Sequence, residues 1–448
     1  MAKFFGTDGV RGLANTGKMT PSSMLHLGQV VGRYFASKTS GRASVVIGKD
    51  TRLSGDMIEA ALIAGLTSVG LDVKRAGVIP TSGVSLMTRG MRADLGVMIT
   101  ASHNKYPDNG VKFFDPDGCK LSDEAEADIE ALLNNSAEAG VPSPELGRVS
   151  SPAGCQTRYI ELCKTTLPTG QRLEGMKIVV DAAHGAAFAT AAATLWELGA
   201  DEVISIGDAP TGDNINAGCG STATDLLSNT VVKTGADVGV ALDGDADRLI
   251  MCDETGKIID GDQLLGLIAT SWHEQGRLQG GGIVATVMSN LGLERCLEAN
   301  SLHLIRTQVG DRHVASKMRS DGYNVGGEQS GHLLMTEYSP TGDGTMAAIQ
   351  ILAEIKRQGR PASEVLNVFN PVPQVLKNVR FSGESPMGHP KLLSAVEAAE
   401  TNFAGQGRVL IRASGTEPLI RVMAESDDPV KVGAIVDTLV RTIEQIIS

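Results

Sequence analysis

The sequence predicts an α/β protein with three similar α/β domains, containing mixed or parallel sheets, and a smaller C-terminal α+β domain. Short apolar runs alternate three times with longer helical patterns, and each cycle carries one polar, glycine-rich loop at a strand end. After residue 370 the apolar runs and helical patterns no longer alternate in this way, and an antiparallel sheet is favoured. We therefore expect domains at 1–150, 151–255, 256–370 and 371–448.

In the first cycle, apolar runs predict strands, and segments with apolar residues three or four apart predict helices. The predicted strands are 44–48, 72–74, 94–99 and 111–114, and the predicted helices are 54–70, 82–91 and 122–133. Residues 134–154 are rich in Ala, Gly, Pro and Ser, which is typical of a boundary between domains.

The later cycles follow the same logic. The second contains predicted strands at 177–181, 202–206 and 237–242 and a helix at 186–198. The third contains predicted helices at 262–274, 291–299 and 345–357 and strands at 283–288, 302–306 and 323–325. The last domain contains predicted strands at 373–381, 408–411 and 419–425 and helices at 390–402 and 429–447.

Composition restricts the classes of function. Of the 448 residues, 42% are hydrophobic and 21% are charged, which is typical of a globular chain. A formal net charge of −12 without a long basic run argues against a nucleic-acid surface. No apolar run is long enough to span a bilayer, and the six cysteines show no metal-binding spacing. We expect a cytoplasmic protein with free thiols.

The first polar loop, Thr100–Asn104, follows the predicted strand 94–99. In open α/β sheets, ligands bind beyond the carboxyl ends of strands, which makes Ser102 a candidate nucleophile. Taken alone, the pentapeptide is more typical of a turn in which Ser and Asn side chains bind the local backbone. The other loops decide between these interpretations.

The second loop contains Asp243, Asp245 and Asp247 at alternate positions, after the predicted strand 237–242. Carboxylate oxygens at this density suit Mg²⁺ or Ca²⁺. An EF-hand is disfavoured because Arg248 stands where that loop requires glycine, and because a strand precedes it. We therefore expect a metal site of another kind.

The third and fourth loops carry groups suited to a sugar phosphate. Glu328, Ser330 and His332 are spaced two apart, so an extended chain would present them on one side to a polyhydroxylated ligand. Arg412 and Arg421 flank hydroxyl residues and an exposed glycine backbone, which is a plausible phosphate site. Together the loops favour phosphoryl transfer.

Six ordered motifs carry a family resemblance over essentially the whole chain. They are GTDGVRG at 6–12, GKDTR at 48–52, TASHN at 100–104, DGDADR at 243–248, GEQSGH at 327–332 and RASGTEPLIRV at 412–422. The sequence thereby resembles the α-D-phosphohexomutase superfamily, and within it most closely the bacterial phosphoglucosamine mutases. Two residues depart from the family pattern: Lys105 replaces the usual proline, and Ala246 replaces a frequent glycine.

The resemblance implies a role for each loop. Ser102 would be the phosphoserine, and Asp243, Asp245 and Asp247 would hold Mg²⁺ together with an oxygen of that phosphoserine. The residues assigned to acid–base catalysis and to charge stabilisation at the reacting phosphoryl group are Arg11, Lys112, His332 and Arg248. Those assigned to the sugar are Glu328 and Ser330, and those assigned to the non-reacting phosphate are Arg412, Ser414, Gly415, Thr416 and Arg421.

The implied activity is an intramolecular phosphotransfer that interconverts glucosamine 6-phosphate and glucosamine 1-phosphate through a hexose bisphosphate, for UDP-N-acetylglucosamine and cell-wall precursor synthesis. The implied cofactors are one Mg²⁺ per chain and a hexose bisphosphate primer. A homodimer, and phosphorylation of Ser102 by a kinase or by the chain itself, stay open. Nucleic-acid and membrane partners are not expected. The alternatives are a phosphomannomutase or phosphoglucomutase of the same superfamily, and an inactive sugar-phosphate sensor.

Overall fold

The computed structural model describes residues 4–6, 8–133, 140–382, 385–413 and 418–447. Sheets of six, five, four and three strands follow one another along the chain, and each sheet with its helices and loops is called unit I, II, III or IV. The predicted fold class is confirmed, since units I to III are α/β and unit IV is a smaller α+β unit. No described helix is long and apolar enough to cross a membrane.

Unit I places the serine loop at the end of a buried strand. Its strands are β1 (Val10–Leu13), β2 (Ser44–Lys49), β3 (Asp72–Val78), β4 (Leu95–Ile99), β5 (Asp108–Phe114) and β6 (Val149–Ser150), and its helices are α1 (Pro21–Ala36), α2 (Gly55–Ser68), α3 (Thr81–Gly90) and α4 (Asp123–Leu133). The strands lie in the order β1-β5-β4-β2-β3-β6, with β2, β3, β4 and β6 parallel and the other two antiparallel to their neighbours. Every residue of β4 is buried, as expected for a strand covered on both faces.

Unit II ends its central strand in the acidic loop. It contains α5 (Cys155–Lys164), β7 (Lys177–Asp181), α6 (Ala191–Glu197), β8 (Glu202–Ile206), α7 (Asp225–Thr234), β9 (Val238–Leu242), β10 (Leu249–Asp253) and β11 (Ile258–Ile259), with the strand order β11-β10-β9-β7-β8. The predicted helix 186–198 begins too early. Ala183 and His184 adopt left-handed backbone angles in the loop after β7, and the regular helix starts only at Ala191.

Unit III presents the third loop as the turn of a short hairpin. It contains α8 (Gly261–Glu274), β12 (Gly282–Thr286), α9 (Leu291–Ala299), β13 (His303–Thr307), α10 (Asp311–Asp321), β14 (Val325–Gly327), β15 (Leu333–Met335), α11 (Gly344–Gln358) and α12 (Ala362–Val365), with the strand order β13-β12-β14-β15. The strand predicted at 323–325 begins two residues later than expected.

Unit IV matches the sequence prediction closely. It contains β16 (Gln374–Arg380), α13 (Pro390–Phe403), β17 (Gly407–Ala413), β18 (Leu419–Ser426) and α14 (Pro429–Ile447), with β18 in the centre of an antiparallel sheet. Arg412 and Arg421 lie opposite each other in the register of β17 and β18. The phosphate-binding candidates on these two strands are therefore adjacent.

One hydrophobic core connects units I to III, and another lies within unit IV. Val46, Val180 and Val325 come from the sheets of three different units and belong to one continuous buried cluster. Unit IV packs its two helices on its own sheet around a separate cluster that includes Leu392 and Val422. Units I to III are thus joined by apolar packing, whereas unit IV has a core of its own.

Candidate active site

Ser102 lies in a strained turn at the end of β4. It is buried, and its backbone φ of 52° is in the left-handed region, which L-residues other than glycine rarely adopt. Its N–H donates to Thr100 Oγ1 at 2.9 Å, and its carbonyl accepts from Asn216 Nδ2 at 2.8 Å. The surrounding contacts therefore hold the serine in a conformation that it would not adopt alone.

Arg52 fixes the remainder of the serine loop. Its buried guanidinium pairs with Asp50 at 2.9 Å, and Thr100 Oγ1 donates to the same carboxylate at 2.7 Å. The guanidinium also donates to the backbone carbonyls of Ser102, Asn104, Lys105 and Asp108, at 2.6 to 3.0 Å. Lys105 thus contributes its carbonyl to the loop while its side chain is exposed.

The acidic loop reaches the serine directly. Ser102 Oγ donates to Asp243 Oδ2 at 2.6 Å. The loop approaches this closely because residue 244 is glycine, where a Cβ would come within 2.5 Å of the Ser102 carbonyl oxygen. Ala246 has a φ of 59°, so the alanine that replaces a frequent glycine is held in a left-handed conformation.

The three aspartates fit a divalent cation. One carboxylate oxygen from each of Asp243, Asp245 and Asp247 lies within 4.8 Å of the others, and all three residues are buried. Burial, and then the charges of Asp247 and Asp245, raise the pKa of Asp243 to about 8. Among the described residues, no group donates a hydrogen bond to Oδ1 of Asp245 or of Asp247. Hard oxygen donors that accept no hydrogen bond are suited to Mg²⁺.

Lys112 supplies part of the positive charge that balances the aspartates. Its Nζ lies 2.8 Å from Asp245 Oδ2, 2.9 Å from Asp247 Oδ2 and 3.3 Å from Asp8 Oδ2. Burial disfavours the charged amine, but these three carboxylates raise the pKa of Lys112 well above its usual value. Arg11 Nη2 pairs with the same Asp8 at 2.5 Å. Both candidate catalytic cations are thus held by carboxylates.

His332 is buried between two acidic residues. Its Nδ1 lies 3.5 Å from Asp247 Oδ1 and its Nε2 lies 3.2 Å from Asp311 Oδ2. Burial opposes the charged ring, but Asp311 and Asp247 raise the pKa of His332 to about 8. By contrast, burial and the nearby Arg248 and Arg11 lower the pKa of His103 to about 4.

The expected extended row of Glu328, Ser330 and His332 is wrong. Residues 328–331 form a turn closed by the Gly331 N–H donating to the Glu328 carbonyl at 2.9 Å, because the chain must reverse between β14 and β15. Glu328 and His332 both line the central cavity, whereas Ser330 is exposed and donates to Glu328 Oε2 at 3.4 Å. Two-residue spacing therefore does not place these side chains on one side.

Arginine side chains from units I, II and IV line the cavity. The buried Nε atoms of Arg11, Arg248, Arg412 and Arg421 have no hydrogen-bond partner among the described residues. Burial, and then the charge of Arg421, lower the pKa of Arg412. Two adjacent guanidinium groups that repel each other are suited to a shared anion. Residues Ser414, Gly415 and Thr416, predicted for the same phosphate, lie outside the described residues.

These groups surround one cavity of about 630 Å³, which is a volume suited to a small polar ligand. All four units contribute to its wall, with Arg11 and Ser102 from unit I, Arg248 from unit II, Glu328 and His332 from unit III, and Arg412 and Arg421 from unit IV. Sequence reasoning gave no role to Asp8, Arg52, Asn216, Lys120 or Asp311. Asp8 pairs with Arg11 three residues away, whereas the other four act through contacts distant in sequence.

Sequence profiles of the phosphoglucomutase/phosphomannomutase family match the chain in four successive segments. Its alpha/beta/alpha domains I, II and III match residues 2–140, 157–256 and 260–372, and its C-terminal domain matches residues 376–442. Solved structures share this fold. A phosphoglucomutase/phosphomannomutase family protein from Burkholderia thailandensis covers 99% of this chain, and the chain covers 97% of it, with a TM-score of 0.81 at 22% identity.

A second solved structure is the N-acetylphosphoglucosamine mutase of Aspergillus fumigatus in complex with GlcNAc-6P and magnesium. Its TM-score is 0.69 at 18% identity, and the match covers 99% of this chain and 96% of that chain. Such low identities show the shared fold alone.

Relatives in sequence are much more similar. The phosphoglucosamine mutase of Phenylobacterium zucineum is 55% identical over 444 residues, covering 99% of this chain and 98% of the relative. That of Sphingopyxis alaskensis is 56% identical over 439 residues, covering 98% of each chain. The resemblance indicated by the motifs is confirmed: the chain belongs to the phosphoglucosamine mutase family, within the α-D-phosphohexomutase superfamily.

Proposed function

We propose that this chain interconverts glucosamine 6-phosphate and glucosamine 1-phosphate by phosphoryl transfer through Ser102 and a hexose bisphosphate. The observation that supports this most directly is the 2.6 Å hydrogen bond from Ser102 Oγ to Asp243, within a cluster of three buried aspartates. Relatives at 55% and 56% identity bear the name phosphoglucosamine mutase. A reactive hydroxyl beside an acidic triad is the arrangement that phosphoryl transfer from a serine requires.

In the proposed reaction, phosphorylated Ser102 gives its phosphoryl group to a hydroxyl of the sugar monophosphate. The bond from phosphorus to the serine oxygen breaks, a bond to the sugar oxygen forms, and the resulting bisphosphate then returns its other phosphoryl group to Ser102. One Mg²⁺ held by Asp243, Asp245, Asp247 and a phosphoserine oxygen would draw charge from the serine oxygen and make it a better leaving group.

The cations around Ser102 are proposed to neutralise the transferring group. Arg248 and Arg11 line the cavity, and a phosphoryl group has oxygens that can accept hydrogen bonds from guanidinium groups. Lys112 and His332 lie among carboxylates that keep them charged, so they add positive charge and can hold protons near the reacting oxygens. Their contribution is electrostatic stabilisation without large rearrangement.

Substrate binding is proposed to use the other end of the cavity. Arg412 and Arg421 would hold the phosphate that is not reacting, together with Ser414, Gly415 and Thr416. Glu328 would bind the sugar, with its Oε1 fixed by the Gly310 N–H at 3.0 Å and Ser330 at the rim. A carboxylate at this position can accept hydrogen bonds from hydroxyl groups or from a protonated sugar amine.

The wider role follows from the resemblance. The product would enter UDP-N-acetylglucosamine and cell-wall precursor synthesis in the cytoplasm. Association as a homodimer, and phosphorylation of Ser102 by a kinase or by the chain itself, are further predictions from the same resemblance. None of the contacts described above depends on them.

A substrate comparison tests the proposal. Purified protein with Mg²⁺ and a glucose 1,6-bisphosphate primer would be given glucosamine 6-phosphate, mannose 6-phosphate or glucose 6-phosphate, with Ser102→Ala as the blank. We expect kcat/KM for the glucosamine phosphate to be higher by about tenfold or more. Preference for mannose or glucose phosphate would show a different hexose mutase. Binding of all three without turnover would indicate the sensor.

A further inference from the structure

Lys120 joins units I and III beside the cavity but does not line it. Its Nζ contacts Asp8 Oδ1 at 2.5 Å, and it also forms a closer ion pair with Asp311 Oδ2. Asp8 comes directly before β1, and Asp311 is the first residue of α10. A single ammonium group therefore bridges two carboxylates that belong to different units.

This bridge is part of a closed circuit of alternating charges, here called the ion-pair ring. Its members, each in contact with the next, are Asp8, Lys120, Asp311, His332, Asp247 and Lys112. Units I, II and III all contribute, and three of the members, Asp8, Lys120 and Asp311, have no role in the proposed phosphoryl transfer. The separations that join His332 to its two carboxylates are 3.2 and 3.5 Å.

The ring has an inner and an outer half. The inner half, Lys112 with Asp247, lies at the aspartate triad. The outer half, Lys120 with its two carboxylates, holds groups that face the cavity: Asp8 pairs with Arg11 at 2.5 Å, and Asp311 lies against His332. Without the Lys120 ammonium, both carboxylates would lose their shared partner in a largely buried place, where an unpaired charge is costly.

We propose that Lys120 and Asp311 are positioning residues for phosphoryl transfer, which orient Arg11 from unit I and His332 from unit III towards the same group. Neither acts on the sugar in this proposal; both act through the side chains that they hold. The inference rests on the proposed function, because it assigns the transferring phosphoryl group as the common target.

A matched control lies at the same seam, which is the contact between units I and III. Arg312, next to Asp311, pairs across units with Glu126 at 2.5 Å and with Asp123. It is as little exposed as Lys120, at 17% against 13% of the side chain, yet it contacts no member of the ring by an ion pair. Loss of Arg312 therefore weakens the seam without removing a contact to Arg11 or His332.

The test compares Lys120→Met, Asp311→Asn and Arg312→Met, with rates normalised to the fraction of phosphorylated Ser102 measured by mass spectrometry. Partners that orient a reactive side chain are typically worth about 10- to 100-fold in activity. We expect a loss of kcat in this range for the two ring variants, with KM for glucosamine 6-phosphate changed by less than about threefold. Arg312→Met should stay within about twofold of the unmodified protein.

Two further measurements separate positioning from general destabilisation. Lys120→Arg keeps a charge that can bridge two carboxylates, and we expect it to recover most of the lost kcat. The double variant Lys120→Met/Asp311→Asn should be no slower than the slower single variant, because both break the same ring. Equal kcat for Lys120→Met and Arg312→Met, or fully additive losses in the double variant, would overturn the inference. If the unmodified protein prefers another hexose phosphate, only the proposed substrate fails, and the comparison is made with that sugar.

Discussion

The cavity end that holds Ser102 is assembled from units sharing one hydrophobic core, whereas the end that holds Arg412 and Arg421 belongs to a unit with a separate core. The two ends also differ in their internal contacts. Ser102 is tied by its N–H, carbonyl and hydroxyl to Thr100, to Arg52 and Asn216, and to Asp243. In both arginines of the other end, Nε has no hydrogen-bond partner within the part of the chain that the structure describes.

The seam between units III and IV is polar. Arg408 of unit IV donates to the carbonyls of Val287 and Ser289 at 2.8 and 2.7 Å, and Arg295 pairs with Asp427 at 2.7 Å. A seam of this kind can change without exposing an apolar core. In the proposed reaction, the bisphosphate must present both of its phosphates to Ser102 in turn. The difference therefore indicates a fixed transfer end and a phosphate-holding end on a separable unit.

The largest effect is expected at the fixed end. Ser102→Ala removes the proposed phosphoryl carrier, and loss of a covalent nucleophile costs on the order of 10³-fold or more in kcat. Turnover of glucosamine 6-phosphate measures it, and the thermal unfolding midpoint serves as the control, because the change removes only the side-chain hydrogen bonds to Asp243 and His103. Activity near that of the unmodified protein would refute the phosphoserine mechanism.

Arg52 tests how far the fixed end depends on its buried contacts. Arg52→Met leaves Asp50 without its ion-pair partner and removes one donor from each of four loop carbonyls. Breaking a buried ion pair costs about 3–5 kcal/mol. We expect a decrease of this size in the free energy of unfolding in urea, with a lower kcat. A decrease below about 1 kcal/mol would show that the serine loop is held by other contacts.

At the end of the cavity that unit IV forms, we expect the effect to be on substrate binding. Arg412→Ala removes hydrogen bonds to a phosphate, and a bond to a charged group contributes about 1.5–3 kcal/mol, equivalent to a rise in KM of about 10- to 100-fold. We expect kcat per phosphorylated Ser102 to change much less. Steady-state kinetics with glucosamine 6-phosphate separates the two parameters. A fall in kcat with KM unchanged would place Arg412 at the transfer step instead.

The smallest effect is expected at the seam between units III and IV. Arg295→Ala breaks a partly exposed ion pair with Asp427, and such pairs are worth about 0.2–1 kcal/mol. The free energy of unfolding should fall by no more than this amount, in contrast to the loss for Arg52→Met. Urea unfolding of both variants under the same conditions gives the comparison. A larger loss at Arg295 would mean that unit IV is fastened as firmly as the others.

Strand ends and their polar loops were predictable because the signals are local. The apolar runs before Ser102 and Asp243 are buried strands, and each loop follows its strand directly. Helix α1 was not predicted, and it contains Gly28, a residue that weakens helices. The structure supplies the reason for that glycine: a Cβ there would come within 2.7 Å of the Leu62 carbonyl of α2.

Long-range contacts were beyond the reach of sequence reasoning. Lys120 and Asp311 are 191 positions apart, and no spacing rule relates them. The turn that removes Ser330 from the cavity wall depends on the pairing of β14 with β15, which the isolated motif does not reveal. Local chemistry was therefore readable, whereas its support by other units was not.

The most direct test of the proposed mechanism follows the phosphoryl group itself. The protein would be incubated with glucose 1,6-bisphosphate and Mg²⁺, then chased with glucosamine 6-phosphate, while peptide mass spectrometry follows the segment that contains Ser102. We expect Ser102 to gain one phosphoryl group in the first step. The chase should then form glucosamine 1,6-bisphosphate and dephosphorylated Ser102 transiently, before Ser102 regains a phosphoryl group and glucosamine 1-phosphate is released. Continued formation of glucosamine 1-phosphate while Ser102 stays unmodified throughout would contradict this mechanism.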